Sequence, residues 1–465
     1  MNRSADQAVI LKTSSGALRG SWSGAASAFL GVPYARPPVG ERRFLPAAPV
    51  PGWEGIRDAT EFGPGAPQPG SVRAHLLQGR PGRTDENCLT LNVWTPDPDP
   101  AARLPVLVWV HGGAFTNGAG SVPALHGADL AAAGRMVVVT VNYRLGALGF
   151  ALHEQLTGPN ELSPGLDDLL TALEWLRDNA YAFGGRPDRI TLGGESAGSM
   201  CAALLSALPR SRDLFGQLIL HSGMPGVIPD DQSRQAVRAL AAELGVGVPD
   251  LRGADASALI AATAAIGPAH RFGPAIPGDL DTLRAAAPPR PQLISTTADE
   301  GTFFFIDRPH PYPVGEDQAL AVLAGLFGPP GPAAYRNTEA GEPLRNASAV
   351  ITERMFSAPA GEWASAAAGT GALVHRALYA HPTPAWGGWL GATHTIEIPL
   401  LFGTFRRQEL AELYRADPLA PAMADKLQTM WTRFVHTGLP GANWPQWTPG
   451  QPFVRPFDPR ASSLP

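Results

Sequence analysis

The sequence predicts an α/β fold in which a mostly parallel central sheet is flanked by helices. Along the first half of the chain, short runs rich in β-branched residues alternate with longer segments of helical periodicity, a pattern typical of parallel strands joined by helices. The 465 residues are 44% hydrophobic and 17% charged, so the chain can bury a large core beneath a polar surface. We expect a single domain over residues 1–465.

Six segments have the composition of buried strands. They are Leu104–Val110, Met136–Asn142, Arg189–Leu192, Gln217–His221, Pro291–Thr297 and Ala372–Tyr379. The apolar runs are far shorter than the ~18 residues that a membrane-spanning helix needs. We therefore expect them to lie inside a globular protein.

Helices are predicted between and after these strands. Leu166, Leu169, Leu170 and Leu173 recur at i, i+3, i+4 and i+7, which predicts an amphipathic helix over Gly165–Asn179. A second helix-forming stretch, Ser199–Leu208, follows the strand at Arg189–Leu192.

Two segments interrupt the alternation of strands and helices. Residues 225–289 are rich in Ala and residues 310–361 are rich in Gly and Pro, with a helical stretch at Gln318–Leu326. We expect both segments to be insertions that cap the sheet. The Gly- and Pro-rich run Gly63–Gly70 reads as a surface loop.

Charge and composition narrow the range of partners. The formal net charge is −5, and no basic stripe or polybasic run is present, so nucleic acid and anionic membrane are not expected as partners. The first residues lack the apolar region of a secretory signal, and Cys88 and Cys201 form neither a CxxC pair nor a metal-ligand spacing. We expect a cytoplasmic monomer or small homo-oligomer that needs no metal or cofactor.

The motif G-x-S-x-G occurs at Gly194-Glu195-Ser196-Ala197-Gly198, between a predicted strand and a predicted helix. In that context the serine lies on a strained turn that presents its hydroxyl above the sheet, at the positive end of the helix dipole. Ser196 is therefore the candidate nucleophile of an α/β-hydrolase. The alternative is structural, because serine is also a common helix N-cap.

A second motif, His111-Gly112-Gly113-Ala114-Phe115, follows the strand Leu104–Val110. Acyl transfer needs backbone N–H groups that bind the oxygen of a tetrahedral intermediate, and small residues allow the close approach. Gly113 and Ala114, together with Ala197, are the candidate donors. By itself, a Gly-Gly pair after a strand commonly marks just a turn.

Serine needs a histidine to accept its proton and a carboxylate to orient that histidine. If the acid and the histidine follow the serine in that order, the remaining histidines are His310, His375, His381, His394 and His436. His394 is the best candidate because it lies in a loop of small residues, Gly391–Pro399. The acid should follow the strand Pro291–Thr297, where Asp299 and Glu300 both qualify.

Together these segments resemble the type B carboxylesterase and cholinesterase family, which includes bacterial para-nitrobenzyl esterases. The matching segments occur in one order along nearly the whole chain. They are Gly31–Ala35 with Arg43-Phe44, Glu86–Val93, the His111 loop, Asn142–Leu145, Phe183–Gly185, Gly194–Gly198, Asp299–Gly301, Gly391–Pro399 and Trp431–Pro440.

The resemblance implies a role for each candidate in the site. It implies Ser196 as nucleophile, His394 as base and Glu300, rather than Asp299, as acid. It also implies that Gly113, Ala114 and Ala197 are the oxyanion donors. Two further residues, Glu195 and Ser222, resemble the buried polar support of the family's active site.

The sequence thus predicts a serine carboxylesterase that hydrolyses a small-molecule ester through an acyl-enzyme. Two alternatives remain at this point. One is a non-catalytic binding protein, since some relatives use the scaffold for adhesion, although such proteins typically lose the nucleophile or the base. The other is a hydrolase of carbamates, amides, lactones or thioesters.

Overall fold

The computed structural model describes residues 8–159, 162–307, 314–336 and 342–458. Its strands are β1 Val9–Lys12, β2 Ala17–Ser23, β3 Ala26–Pro33, β4 Ile56–Asp58, β5 Thr90–Thr95, β6 Leu104–Val110, β7 Val137–Val141, β8 Gly185–Glu195, β9 Gln217–His221, β10 Gln292–Thr297, β11 Val374–Tyr379 and β12 Val454–Phe457.

These strands form one twisted sheet whose order is β1-β2-β3-β5-β7-β6-β8-β9-β10-β11-β12, with β4 paired to β2. The strands from β6 and β7 through to β12 run parallel. Neighbours from β1 to β3, then β5 and β7, run antiparallel. The sheet is mostly parallel, as the sequence predicts.

Helices cover both faces of the sheet. Before β10 they are α1 Val72–Gln78, α2 Ala128–Gly134, α3 Gly146–Phe150, α4 Glu154–Thr157, α5 Pro164–Asn179, α6 Ala197–Ala207, α7 Asp230–Glu243, α8 Ala256–Ala265 and α9 Leu280–Ala286. After β10 they are α10 Glu316–Phe327, α11 Pro330–Arg336, α12 Pro343–Thr352, α13 Ala358–Gly369, α14 Ala385–Gly388, α15 Ile398–Phe402, α16 Ala411–Tyr414 and α17 Ala420–Thr437.

All six predicted strands are confirmed as β6 to β11, with ends that differ by at most a few residues. The amphipathic helix predicted over Gly165–Asn179 is α5 and begins one residue earlier, at Pro164. The helix predicted from Ser199 is α6, which begins at Ala197, immediately after Ser196. That start matters because it places Ser196 at the junction of strand and helix.

The two segments expected to be insertions are largely helical where the structure describes them. Residues 225–289 contain α7, α8 and α9. The described part of residues 310–361 contains α10, α11 and α12, followed by a π-helical turn at Glu353–Ser357. His310 lies outside the described residues.

Hydrophobic side chains form a large cluster on each face of the sheet. One cluster packs under α5 and α6, and the other packs under α2, α15 and α17. A smaller cluster joins α10 and α12 to the turn that follows β10. In the described ranges no helix combines the length and the apolar character that crossing a membrane requires.

Candidate active site

Ser196 occupies a strained turn between β8 and α6. Its backbone angles are φ 54° and ψ −124°, which an L-residue adopts only where its surroundings enforce them. It stands at the N-cap position of α6, yet its side chain makes no capping hydrogen bond. The backbone N–H of Ser196 donates to the carbonyl of His221 at 2.8 Å. The hydroxyl is therefore not used as a helix cap.

Glycines on either side allow the turn to close. A Cβ atom on Gly198 would lie 2.0 Å from the carbonyl oxygen of Val110, and one on Gly223 would lie 2.1 Å from that of Ser196. Both distances are far below van der Waals contact with backbone atoms that cannot move away. The small residues thus permit α6 to pack directly against the end of β6.

His394 and Glu300 meet beside this turn. Nδ1 of His394 lies 2.6 Å from Oε2 of Glu300. The other carboxylate oxygen of Glu300 accepts the hydroxyl of Ser222 at 2.6 Å and the N–H of Thr297 at 2.7 Å. Glu300 is completely buried, so these donors replace the water that an ionised carboxylate would otherwise bind.

Asp299, the alternative acid, faces away from His394. Its side chain forms an ion pair with Arg345 at 3.1 Å and accepts the backbone N–H of Ala392 at 2.8 Å. The structure thus brings Glu300, and not Asp299, into contact with the histidine.

Glu195 contacts the other nitrogen of His394. Its Oε1 lies 3.0 Å from Nε2, within ion-pair distance, although the two groups are not aligned as a hydrogen bond. Burial lowers the pKa of His394, but the carboxylates of Glu195 and Glu300 outweigh burial and raise it above the ordinary value. Burial raises the pKa of Glu195, partly offset by His394. The imidazole therefore lies between two carboxylates.

In this arrangement Nε2 of His394 faces Glu195, and the hydroxyl of Ser196 forms no hydrogen bond with any residue that the structure describes. Catalytic hydrogen bonds are often long or unformed without substrate and tighten when it binds. The structure thus places Nε2 of His394 against Glu195, the residue that precedes Ser196 in the chain.

The loop after β6 presents the predicted oxyanion donors. Its backbone has positive φ at Gly113 (113°) and Ala114 (53°), and the N–H groups of Thr116 and Asn117 both donate to the carbonyl of Gly113, at 3.0 and 2.9 Å. The N–H groups of Gly113, Ala114 and Ala197 donate to no acceptor in the described ranges. Three backbone donors are thus unused beside Ser196.

His111 stabilises that loop as a neutral group. Burial lowers the pKa of His111 to about 4, so the ring is uncharged at neutral pH. Its Nδ1 donates to the carbonyl of Gly112 at 2.8 Å, and its ring stacks on Tyr143 with centroids 4.6 Å apart. The hydroxyl of Tyr143 donates to the carbonyl of His111 at 3.0 Å.

A third buried histidine, His221, is not predicted by the sequence as part of the site. The indole N–H of Trp431 donates to its Nε2 at 3.0 Å. Because an indole nitrogen can only donate, Nε2 must be the acceptor, and the proton lies on Nδ1, 3.1 Å from Oε1 of Glu397. No sequence signal distinguishes His221, since its partners are 176 and 210 residues away along the chain.

Aromatic and apolar groups surround the site. Phe303 and Phe356 pack against the ring of His394, with centroids 5.1 and 4.9 Å away. A cavity of about 190 Å³ adjoins the oxyanion loop at Thr116. Its other lining residues are mostly apolar: Pro67, Pro69, Leu145, Gly146, Ala147, Leu148, Leu259, Ile260, Thr263 and Ala264.

The mostly parallel sheet, with a serine on the turn after β8 and a carboxylate and a histidine on later loops, is the α/β-hydrolase fold. Residues 7–319 match the model of the Carboxylesterase family. The chain belongs to that family and is a carboxylesterase by class.

Similarity to individual relatives extends over nearly the whole chain. Para-nitrobenzyl esterase of Bacillus subtilis is 34% identical, over 94% of this chain and 92% of its own. Phenmedipham hydrolase of Pseudarthrobacter oxydans is 35% identical, over 96% and 94%. Among solved structures, a thermophilic PNB esterase superposes with a TM-score of 0.83 at 32% identity, covering 97% of this chain and 96% of its own.

Proposed function

We propose that the protein hydrolyses carboxylic esters through an acyl-enzyme formed on Ser196, with His394 as base and Glu300 as acid. One observation carries the proposal: the 2.6 Å contact between Glu300 and His394 lies beside a strained, uncapped serine. A serine used only as a helix cap would not need φ 54° or a neighbouring acid–histidine pair.

In the proposed reaction Oγ of Ser196 attacks the ester carbonyl while Nε2 of His394 takes its proton. Glu300 accepts the hydrogen bond of Nδ1 and so fixes the tautomer that leaves Nε2 free to act. The proton then passes from Nε2 to the departing alcohol. Water enters, gives a proton to His394 and attacks the acyl carbon. The bond between that carbon and Oγ of Ser196 then breaks, His394 returns the proton to Oγ, and the acid is released.

In each tetrahedral intermediate, the N–H groups of Gly113, Ala114 and Ala197 donate hydrogen bonds to the negative oxygen. Their lack of other acceptors supports this assignment, because a donor without a partner can bind a developing negative charge without first giving up another hydrogen bond. Ala197 is also the first residue of α6, where the helix dipole favours negative charge.

Before attack, His394 must transfer its Nε2 contact from Glu195 to Ser196. We assign to Glu195 the stabilisation of the imidazolium form of His394 by its charge, and to Ser222 the orientation of Glu300 through its 2.6 Å hydrogen bond. Both are positioning residues in this proposal, since neither is expected to touch the reacting carbon.

The substrate is proposed to be a small-molecule ester with an apolar group. The apolar cavity of about 190 Å³ next to Thr116 supports that class, because it adjoins the loop that would bind the oxyanion. The name of the relative para-nitrobenzyl esterase is consistent with a small aromatic substrate.

We propose that the enzyme works in the cytoplasm, as a monomer or small homo-oligomer. Cys88 and Cys201 are both free and buried, and burial raises the pKa of each thiol well above its ordinary value. Such thiols are suited to a reducing compartment and are unreactive. Dithiothreitol should leave the melting temperature unchanged, whereas a clear fall would indicate a disulfide and an oxidising location.

The function is tested with p-nitrophenyl esters of increasing acyl length. Wild type should show a burst of p-nitrophenol equal to the enzyme concentration when deacylation is slow, and Ser196→Ala should abolish turnover. Ser206→Ala is a matched control, because that buried hydroxyl of α6 donates to the carbonyl of Ala203. An active Ser196→Ala variant would overturn the proposal.

A further inference from the structure

A second cavity lies between α17, the loop after it and the edge strand β12. It measures about 390 Å³, within the range of small-molecule sites, and it shares no residue with the candidate active site. Three cationic side chains line it, Lys426, Arg433 and Arg455. Its apolar walls are formed by Met430, Trp444 and Phe457.

Arg455 is a cation without a counter-ion. Its guanidinium stacks on Trp444 at 4.7 Å from the ring centre, and one N–H donates to the carbonyl of Asn443 at 3.1 Å. Its Nε is buried without a hydrogen-bond partner, and no carboxylate in the described ranges pairs with it. A guanidinium has five donors in a fixed fork that matches a carboxylate, so a carboxylate in the cavity would be the counter-ion that Arg455 lacks.

The other charged residues that line the cavity also leave an excess of positive charge. Lys426 and Arg433 are exposed and seven residues apart on α17, so both lie near one side of the helix. Neither forms an ion pair with a described residue. Asp425 also lines the cavity, leaving three cations against one carboxylate.

Trp444 forms part of the apolar side of the cavity. This side chain is 8% exposed; the guanidinium of Arg455 lies over its ring at 4.7 Å, and the ring of Phe457 packs against it at 5.8 Å. Together with Met430, these two rings give the cavity an apolar side next to its cations. A ligand suited to both sides carries an anionic group and an apolar body.

We propose that this cavity binds a small aromatic carboxylate, with its carboxylate on Arg455 and its ring against Trp444 and Phe457. The site is separate from the hydrolytic one. Its ligand class includes the aromatic acids that ester hydrolysis can release.

The test titrates the enzyme with 1-naphthoate by isothermal titration calorimetry, before and after Ser196 is blocked with a fluorophosphonate and the adduct is verified by mass. The proposal predicts one binding event that survives the block and weakens with added salt. Arg455→Met should weaken binding by about tenfold to a hundredfold, as expected for loss of a charge-assisted bidentate contact.

Two further variants make the test independent of folding. Arg433→Glu changes an exposed position that cannot disturb the core, and it should also weaken binding. Arg57→Met is the matched control, because Arg57 likewise stacks on a tryptophan, Trp53, at 4.4 Å but lies on β4, far from β12 in the order of strands. This control should bind as wild type does.

Three results would overturn the proposal. They are no binding to the blocked enzyme, equal binding by wild type and both Arg455→Met and Arg433→Glu, or equal binding of uncharged 1-naphthamide. If the fluorophosphonate fails to label Ser196, the proposed hydrolytic function fails, while the comparison of wild type with the variants still decides the carboxylate site.

Discussion

His394 lies between Glu300 at 2.6 Å and Glu195 at 3.0 Å. Most catalytic histidines in Ser-His-acid sites have one carboxylate partner and the serine as the other. Here both nitrogens face buried acids, and this arrangement raises the pKa of the imidazole. Because only neutral imidazole can accept the proton of Ser196, the state of this one residue should set the pH dependence of the enzyme.

We predict that kcat/KM falls as pH decreases through one ionisation whose midpoint lies above the ordinary histidine value of about 6.5. Glu195→Gln should move that midpoint downward, since it removes a charge that favours the imidazolium. Glu300→Gln should also move it downward and reduce kcat by about a thousandfold or more, since the tautomer is no longer fixed.

The measurement is kcat/KM against pH for each protein with one p-nitrophenyl ester, and Glu409→Gln, an exposed glutamate, is the control. An upward movement of the midpoint in Glu195→Gln, or a wild-type rate that is flat between pH 6 and 9, would show that these carboxylates do not control His394.

At the scale of elements, His221 joins the three segments that carry the proposed catalytic residues. Its carbonyl accepts the N–H of Ser196 on the turn after β8, and the adjacent Ser222 donates to Glu300. Its ring is held by Glu397, three residues beyond His394, and by Trp431 of α17. The end of β9 therefore fixes the relative positions of nucleophile, acid and base.

We predict that His221→Gln retains most activity, because an amide can donate to Glu397 and accept from Trp431 as the imidazole does. His221→Leu leaves two buried polar groups unpaired, at a cost of about 1–3 kcal/mol each. It should reduce kcat by at least about tenfold with little change in KM. Steady-state kinetics and urea unfolding of both variants provide the measurement, and a Leu variant as active as Gln would contradict the role.

At the scale of the whole molecule, a buried ion pair links the loop after β7 to α5. Arg144 follows β7, and its guanidinium meets Asp168 of α5 through contacts of 2.6 and 2.8 Å. The two side chains are 3% and 0% exposed. Removing one partner would leave the other charge buried without compensation.

Asp168→Asn should therefore lower the free energy of unfolding by about 3–5 kcal/mol. The comparison is Asp58→Asn, which breaks the exposed pair of Asp58 with Arg19 and should cost about 1 kcal/mol or less. Urea denaturation monitored by circular dichroism measures both. Equal losses would show that burial does not determine the strength of these pairs.

How much of the fold the sequence predicts depends on how each strand is buried. Strands β6 to β11 are predicted because parallel strands buried on both faces are nearly continuous apolar runs, as in Leu104–Val110. Strands β1 to β5 and the parallel edge strand β12 were missed. β2 is half-exposed with a Gly and serines, and β5 buries polar residues such as Asn92, so neither resembles an apolar run.

For the site, too, the sequence predicts the features that a local pattern encodes and misses those that depend on distant contacts. The turn at Ser196 and the loop at Gly113 are predictable because each is encoded by adjacent residues. The contact of Glu195 with His394, and the pairing of His221 with Glu397 and Trp431, depend on the register of strands and loops far apart in sequence. A local sequence pattern does not determine that register, so these contacts could not be predicted.

The role of Ser196 as nucleophile is tested by the mass of the covalent adduct that the enzyme forms with a fluorophosphonate. We predict one equivalent of label, located by peptide mapping on Ser196, with loss of esterase activity in proportion to labelling. We also predict no labelling of Ser196→Ala. Stoichiometric label on any other residue, or full activity of an enzyme labelled at Ser196, would contradict it.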